Sequence, residues 1–210
     1  EINEGDWSSD VCSSDLGILL KIIPDAQTEK MLFDSGQIDI FDLDHALDQI
    51  PTYRDNPDYK NNFVEKTVLG TSYLSLNESI EPLGDVKVRK ALQMAIDRDT
   101  LIQSMYYGAA TPACTFLPEG VPGYDKNSEP IKYDPEGAKK LLEEAGYADG
   151  FDLTITQTVD DSQSDQEVNE AIAKMFEAIG VRAKIEQYDN ATWYLTKRSE
   201  ERRVGKECRS

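Results

Sequence analysis

One imidazole serves the whole chain of 210 residues: His45, in the stretch Asp42-Leu43-Asp44-His45-Ala46. A neighbouring carboxylate is what orients a catalytic histidine, but no nucleophile–base pair can be built around this one, and we read it as a surface residue. The sequence has no GxSxG elbow, no GxGxxG turn and no P-loop, the local signatures of hydrolase nucleophiles and nucleotide sites. Acid pairs such as Glu143-Glu144 and Asp160-Asp161 meet the minimal need of a glycosidase for two carboxylates. With 40 acids in the chain, such pairs are the normal dress of a solvated face. Residues Asp160 to Glu167 offer oxygen ligands without the glycine and terminal glutamate spacing of a calcium loop. Cys12, Cys114 and Cys208 show no CxxC spacing, so zinc and dithiol chemistry have no support. The expectation is a protein with no catalytic residue, no metal and no cofactor.

The charge balance narrows the partners. Twenty-two bases against 40 acids give a formal charge of −18, which repels phosphate backbones and excludes nucleic acid as a partner. The longest apolar run, Leu16 to Ile23, is broken by Lys21 and falls far short of the roughly 20 residues of a membrane helix. At 39% apolar and 30% charged residues, the composition is that of a folded chain rather than a disordered one.

The two ends stand apart from the rest. Residues 1–16 contain Asp6-Trp7-Ser8-Ser9-Asp10-Val11-Cys12-Ser13-Ser14-Asp15, which follows neither helical nor strand periodicity. Residues 199–210 read SEERRVGKECRS, a basic patch on an acidic protein. Both resemble translated sequencing-adapter sequence and are expected to be foreign to the protein. Cys114 is then the only native cysteine, and a Cys12–Cys208 bridge carries no biological weight. Residues 1–16 hold five acids and no base, and 199–210 three acids and four bases, so the remainder still carries −14. No secretory leader is seen, which in a truncated chain says nothing about compartment.

Between the ends the pattern is strand, helix, strand and then a second α/β series. Ile18 to Ile23 reads as a strand. Asp25 caps a helix from Ala26 to Ser35 with Met31 and Leu32 inward and Gly36 as its stop, and Ile38 to Phe41 is a second strand, parallel to the first. His45 to Asn62 is a loop or short helix, followed by extended segments Phe63 to Leu69 and Ser72 to Asn77. Pro82 and Gly84 mark a domain crossing at Glu78 to Asp85. Asp85 then caps a helix over Val86 to Ile96, and a second helix starts around Asp97 to Asp99 and stops at Gly108. Thr111 to Pro130 is a long Pro/Gly loop of the kind that lines binding sites. Asp134-Pro135 opens a helix ending at Gly146, Phe151 to Thr158 is a strand, Asp165 to Ile179 a helix stopped by Gly180, and Val181 to Gln187 a strand. A cleft between α/β lobes, lined by aromatic and hydroxyl groups, is the site such an arrangement favours.

Several ordered stretches carry a resemblance. DVKVRKALQMAIDRDTLIQSMYYGAATPA, from Asp85 to Ala113, resembles the signature of the peptide/nickel class of extracytoplasmic solute-binding proteins of ABC transporters. Ile23-Pro24-Asp25-Ala26, Ser35 to Ile40, Tyr73 to Asn77, Tyr133-Asp134-Pro135, Lys139 to Tyr147 and Ile179-Gly180-Val181 are similar to further elements of that family, in its order, so the likeness spans Gly17 to Lys197. It implies an α/β fold of the two-lobed, class II periplasmic-binding-protein type, here incomplete: residues 17–78 the late part of lobe I and 79–198 the early part of the larger second lobe. The implied role is a hinge-closing binder, not an enzyme, that captures a peptide and hands it to an ABC permease in the membrane. Such a protein is periplasmic or a cell-surface lipoprotein and monomeric when complete. Nickel chelates, glutathione-like molecules and oligosaccharides stand as other ligands. A carboxylate hydrolase and a non-transport peptide sensor on a related fold are the alternatives outside that role.

The resemblance sets the segment before the signature at the inter-lobe crossing. Strand alternation there directs Tyr73 and Ser75 to one face, and these are the leading ligand-binding candidates. Some oligopeptide binders carry an acid where Ser75 stands. Gln163 and Gln166, where the late helix opens, are the second pair. The acid that pairs with a peptide amino group in many relatives is expected beyond this chain's end.

Overall fold

Four helix starts carry an aspartate whose carboxylate caps the first turn. In the computed structural model, Asp25 accepts from the Thr28 amide at 2.7 Å and hydroxyl at 2.6 Å and opens α1 (Ala26–Asp34). The Thr28 hydroxyl and then its amide hold the Asp25 carboxyl below its usual range. The Gln37 amide donates to Leu32 and the Gly36 amide to Phe33, with Gly36 at φ +71°, the paired bonds of a Schellman stop. Residues 17–193 are described, apart from Ile18, Pro24, Thr67 and 160–162 and the side chains of His45 and Gln163. The two ends read as foreign, with Cys12 and Cys208, lie outside the described residues.

The chain divides between Asp42 and Leu43 into two compact units. In the first, the parallel strand–helix–strand expected around α1 does not form. The described residues of Ile18 to Ile23 and of Ile38 to Phe41 join no ladder, and Lys21 Nζ donates instead to the carbonyl of Gln37, just before the second segment, at 3.1 Å. Apolar, β-branched residues make a strand only when a neighbour takes up their backbone groups, and none of the described residues does so. Met31, expected inward, is consequently exposed, and α1 buries no residue.

The second unit opens with two 3-10 turns, Leu43–His45 and Leu47–Gln49, and the short α2 (Ile50–Arg54). Pro51 sits in its first turn, where a missing amide costs nothing, and Ile50 and Tyr53 are buried. Segments 63–69 and 72–77 carry no strand ladder among the described residues. The turn at 78–85 is held by Arg89, whose Nη1 donates to the carbonyls of Leu83 and Gly84, both at 2.9 Å.

Helices α3 (Val86–Met94) and α4 (Arg98–Met105) form a corner. Both end before the expected Ile96 and Tyr107, because Ala95 to Asp97 turn the chain and Tyr107 already takes φ +50°, followed by Gly108 at +79°. Arg98 Nη1 stitches that corner to the end of the long loop, donating to Gln93 at 3.1 Å and Ile131 at 3.3 Å. Helix α5 (Pro135–Glu144) packs along α3. Strands β1 (Phe151–Thr158) and β2 (Val181–Tyr188) pair in parallel, from Phe151 opposite Val181 to Thr158 opposite Tyr188, with α6 (Gln163–Glu177) crossing between them. One core joins Val88, Ala91 and Leu92 of α3, Ala138 and Leu142 of α5, Phe151 and Ile155 of β1, and Ile172 and Phe176 of α6. The 3.6-residue spacing on each helix and the alternation on β1 put those residues on the inward face. No helix among the described residues is long and apolar enough to cross a membrane.

Candidate ligand-binding site

In an open parallel sheet, ligands collect beyond the carboxyl ends of the strands, beside the amino end of the crossing helix. Here that edge is furnished with amides. Gln157, near the end of β1, is 4% exposed and accepts at Oε1 from Asn169 of α6 at 2.9 Å. Gln187, its register partner on β2, donates to Gln166 Oε1 at 3.2 Å. Gln166 and Asn169 are three residues apart and so share a face of α6. Together the two amide pairs fix the first turns of α6 to the strand ends.

Tyr106, at the C-cap of α4, connects this edge to the segment before the crossing. Its half-buried phenol lies beside the Ser72 side chain and in the field of Asp165 on α6. Burial first and the Asp165 charge second push its pKa up, against the Ser72 bond, which pulls it down. Because the neutral phenol is the form the fold prefers, the contribution of Tyr106 to stability is complete below pH 10.0 and is lost as the pH climbs through the raised value. The stability difference between the native protein and Tyr106→Phe is therefore expected to shift in favour of the phenylalanine variant as the pH rises above 10.0. A difference independent of pH in urea melts over that range would contradict this placement.

Tyr73 and Ser75 are both exposed, while Leu76 between them and the crossing packs against the core. The Tyr73 ring stands edge to face on Phe116 of the long loop, centroids 5.0 Å apart and planes at 69°. Gln166 is half-buried and engaged with Gln187. Gln163 is the first residue of α6, with its side chain outside the described residues. The structure thus sets Ser72, the chain neighbour of Tyr73, beside Tyr106, puts Tyr106 in the field of Asp165, the chain neighbour of Gln166, and gives Tyr73 an aromatic partner.

Tyr106, Phe116, Gln157 and Asn169 escaped the sequence reading. The only signal for Tyr106 was its place just before a helix stop, and for Phe116 a large aromatic in a proline-rich loop. A shallow, open concavity of about 360 Å3 lies on that loop, lined by Glu119, Gly120, Val121, Pro122, Tyr124 and Lys126. It is open to solvent, and none of the four candidates lines it. Cys114 is a half-buried free thiol, and among the described residues no group of three potential metal ligands converges.

Residues 17–203 match the family described as bacterial extracellular solute-binding proteins, family 5 (Middle). The chain belongs to this family. Among relatives of this solute-binding protein, the dipeptide-binding protein of Escherichia coli is 31% identical over 175 residues, covering 82% of this chain and 32% of its own length. Heme-binding protein A of Haemophilus influenzae is 34% identical over 135 residues, covering 64% of this chain and 24% of its own. Among solved structures, the periplasmic binding protein DppA of Helicobacter pylori, bound to the peptide STSA, superimposes with a TM-score of 0.65 at 29% identity, over 81% of this chain and 32% of that one. The α/β fold is that of the peptide-binding type of periplasmic binding proteins. The chain spans about a quarter to a third of the length of these relatives.

Proposed function

We propose that this chain is part of the substrate-binding component of an ABC importer, which captures peptides in a cleft between two lobes and delivers them to a membrane permease. The observation that carries the reading is the family match, which runs from Gly17 to Arg203, through every element around the Tyr106 hydroxyl. The relatives named for a dipeptide and for the peptide STSA support a peptide as the ligand class. In this reading residues 17–78 close lobe I and 79–198 open lobe II, with the Arg89-clamped turn as the crossing. Tyr73, Ser75, Gln163 and Gln166 face the ligand. Closing on the ligand shifts the population toward a form the permease distinguishes, with no bond made or broken. The protein acts outside the cytoplasm, in the periplasm or tethered to the cell surface as a lipoprotein, and as a monomer.

Calorimetric titration of the full-length gene product with defined di- and tripeptides tests this. One-to-one binding that leaves the peptide intact is expected. Release of cleaved peptide, or no binding by any peptide, would overturn the reading. The 210-residue chain alone is expected to bind at least about 100-fold more weakly, because a ligand held between lobes loses the contacts of the absent strands. Equal affinity of the two forms would show that the cleft does not depend on the rest of the protein.

A further inference from the structure

We infer that Arg89 is a positioning residue for closure: it ties the crossing turn to α3, so that residues 77–85 move as part of the second lobe and the lobes pivot before the turn, not within it. The inference rests on the peptide-binding reading above and needs no contact between Arg89 and the ligand.

The crossing is bonded throughout. The Ser79 amide donates to Asn77 Oδ1 at 3.0 Å, the Ile80 amide to the Asn77 carbonyl at 3.2 Å, the Leu83 amide to Ile80 at 2.8 Å and the Asp85 amide to Pro82 at 3.1 Å. Consecutive turns thus run without a gap from Asn77 to Asp85. Gly84 folds back on the start of the turn, where an added Cβ would stand 3.1 Å from the Glu78 carbonyl oxygen. Leu83 is 6% exposed and fastens the turn to the shared core.

Arg89 adds the link to α3. Side chains on a helix lean toward its amino end, so an arginine one turn into α3 reaches back over the chain that enters it. Its Nη1 donates to the Leu83 and Gly84 carbonyls, both at 2.9 Å, and its Nε stands 3.4 Å from Glu78 Oε1. The side chain is only 20% exposed. Taking a guanidinium out of water costs free energy unless bonds replace its hydration, and every bond the Arg89 side chain makes among the described residues goes to the crossing. Helix α3 already buries Val88, Ala91 and Leu92 in the core, so its packing does not depend on that charge.

A protein that closes on its ligand gives up, on closing, whatever freedom its open form had. A crossing held on α3 has little to give up. Once released, it must be ordered again at each closure, and fixing about one residue of backbone is worth about tenfold in affinity.

The test uses the full-length protein in four forms: native, Arg89→Met, Arg89→Lys and Lys87→Met. Hydrogen exchange of the Leu83 and Asp85 amides is measured without ligand, and binding of Ala-Ala-Ala by calorimetric titration. Arg89→Met is expected to speed that exchange by about tenfold and to weaken binding by about tenfold, with the radius of gyration of the bound form unchanged. Arg89→Lys keeps an ammonium donor for the two carbonyls and is expected to restore part of both. Lys87, one turn away, pairs with Glu144 of α5 at 3.0 Å, and Lys87→Met is expected to stay within about twofold of native in both readouts. Faster exchange in Arg89→Met with affinity within about twofold of native would make Arg89 a merely structural residue and overturn the inference, while the peptide-binding reading stands. Unchanged exchange would overturn it too, since the turn would then hold without the clamp. Should Arg89→Met not fold, Arg89→Lys decides: equality with native in both readouts overturns the inference. Failure of Ala-Ala-Ala to bind the native protein overturns both readings.

Discussion

Phe176→Ala is expected to remove about 4 kcal/mol of stability. The ring is 2% exposed, on the inner face of α6 with Ile172 and Ala173, in the cluster that also holds Ile179 and, at the start of β2, Val181. Truncation forfeits the burial of the ring and leaves a cavity between helix and sheet that rigid neighbours fill only in part. At a urea dependence of about 2 kcal/mol per molar, the unfolding midpoint falls by about 2 M. A shift below about 0.5 M would mean that α6 does not close on the strands as described. The consequence reaches the site, since α6 carries Asp165, Gln166 and Asn169.

Gly150→Ala is expected to cost about 3 kcal/mol, and it tests a feature of the backbone rather than of side-chain packing. Gly150 and Gly180 directly precede β1 and β2, at φ +72° and +88°. A Cβ on Gly150 would overlap the Gly180 carbonyl oxygen, a backbone atom with no rotamer to yield. The left-handed backbone costs a non-glycine residue about 1–2 kcal/mol, and forcing the strand starts apart adds about 1–3 kcal/mol. Gly146→Ala is the control: its φ is +88° with nothing within 4 Å of an added Cβ, so only the backbone part remains, about 1–2 kcal/mol. Equal losses for the two variants in urea melts would show that the strand starts do not touch.

Local chemistry made much of the fold readable in advance. Asp25, Asp85, Asp97 and Asp134 each accept from an amide two or three residues on, and Gly36, Gly108, Gly146 and Gly180 all take positive φ at helix stops, because caps and stops depend on a few consecutive residues. Strand β1 lies over the residues expected, and β2 runs one residue longer, since alternation is visible within a strand. The strands expected at 18–23 and 38–41 failed for the opposite reason. Apolar content proposes a strand, but only a neighbouring chain completes one.

The ligand-site candidates divide along the same line. The resemblance that marked Tyr73 and Gln166 was legible in ordered motifs, but no pattern in the chain announced Tyr106 as a neighbour of Ser72 in the field of Asp165, or Phe116 as the partner of Tyr73. These groups stand more than thirty residues apart in the sequence and meet only once α4, α6 and the long loop have packed. Helix limits, the two paired strands and family membership follow from residues close together along the chain, where propensity and spacing act. Which hydroxyls, amides and rings converge follows from burial of the shared core, because that packing alone fixes the distances between them.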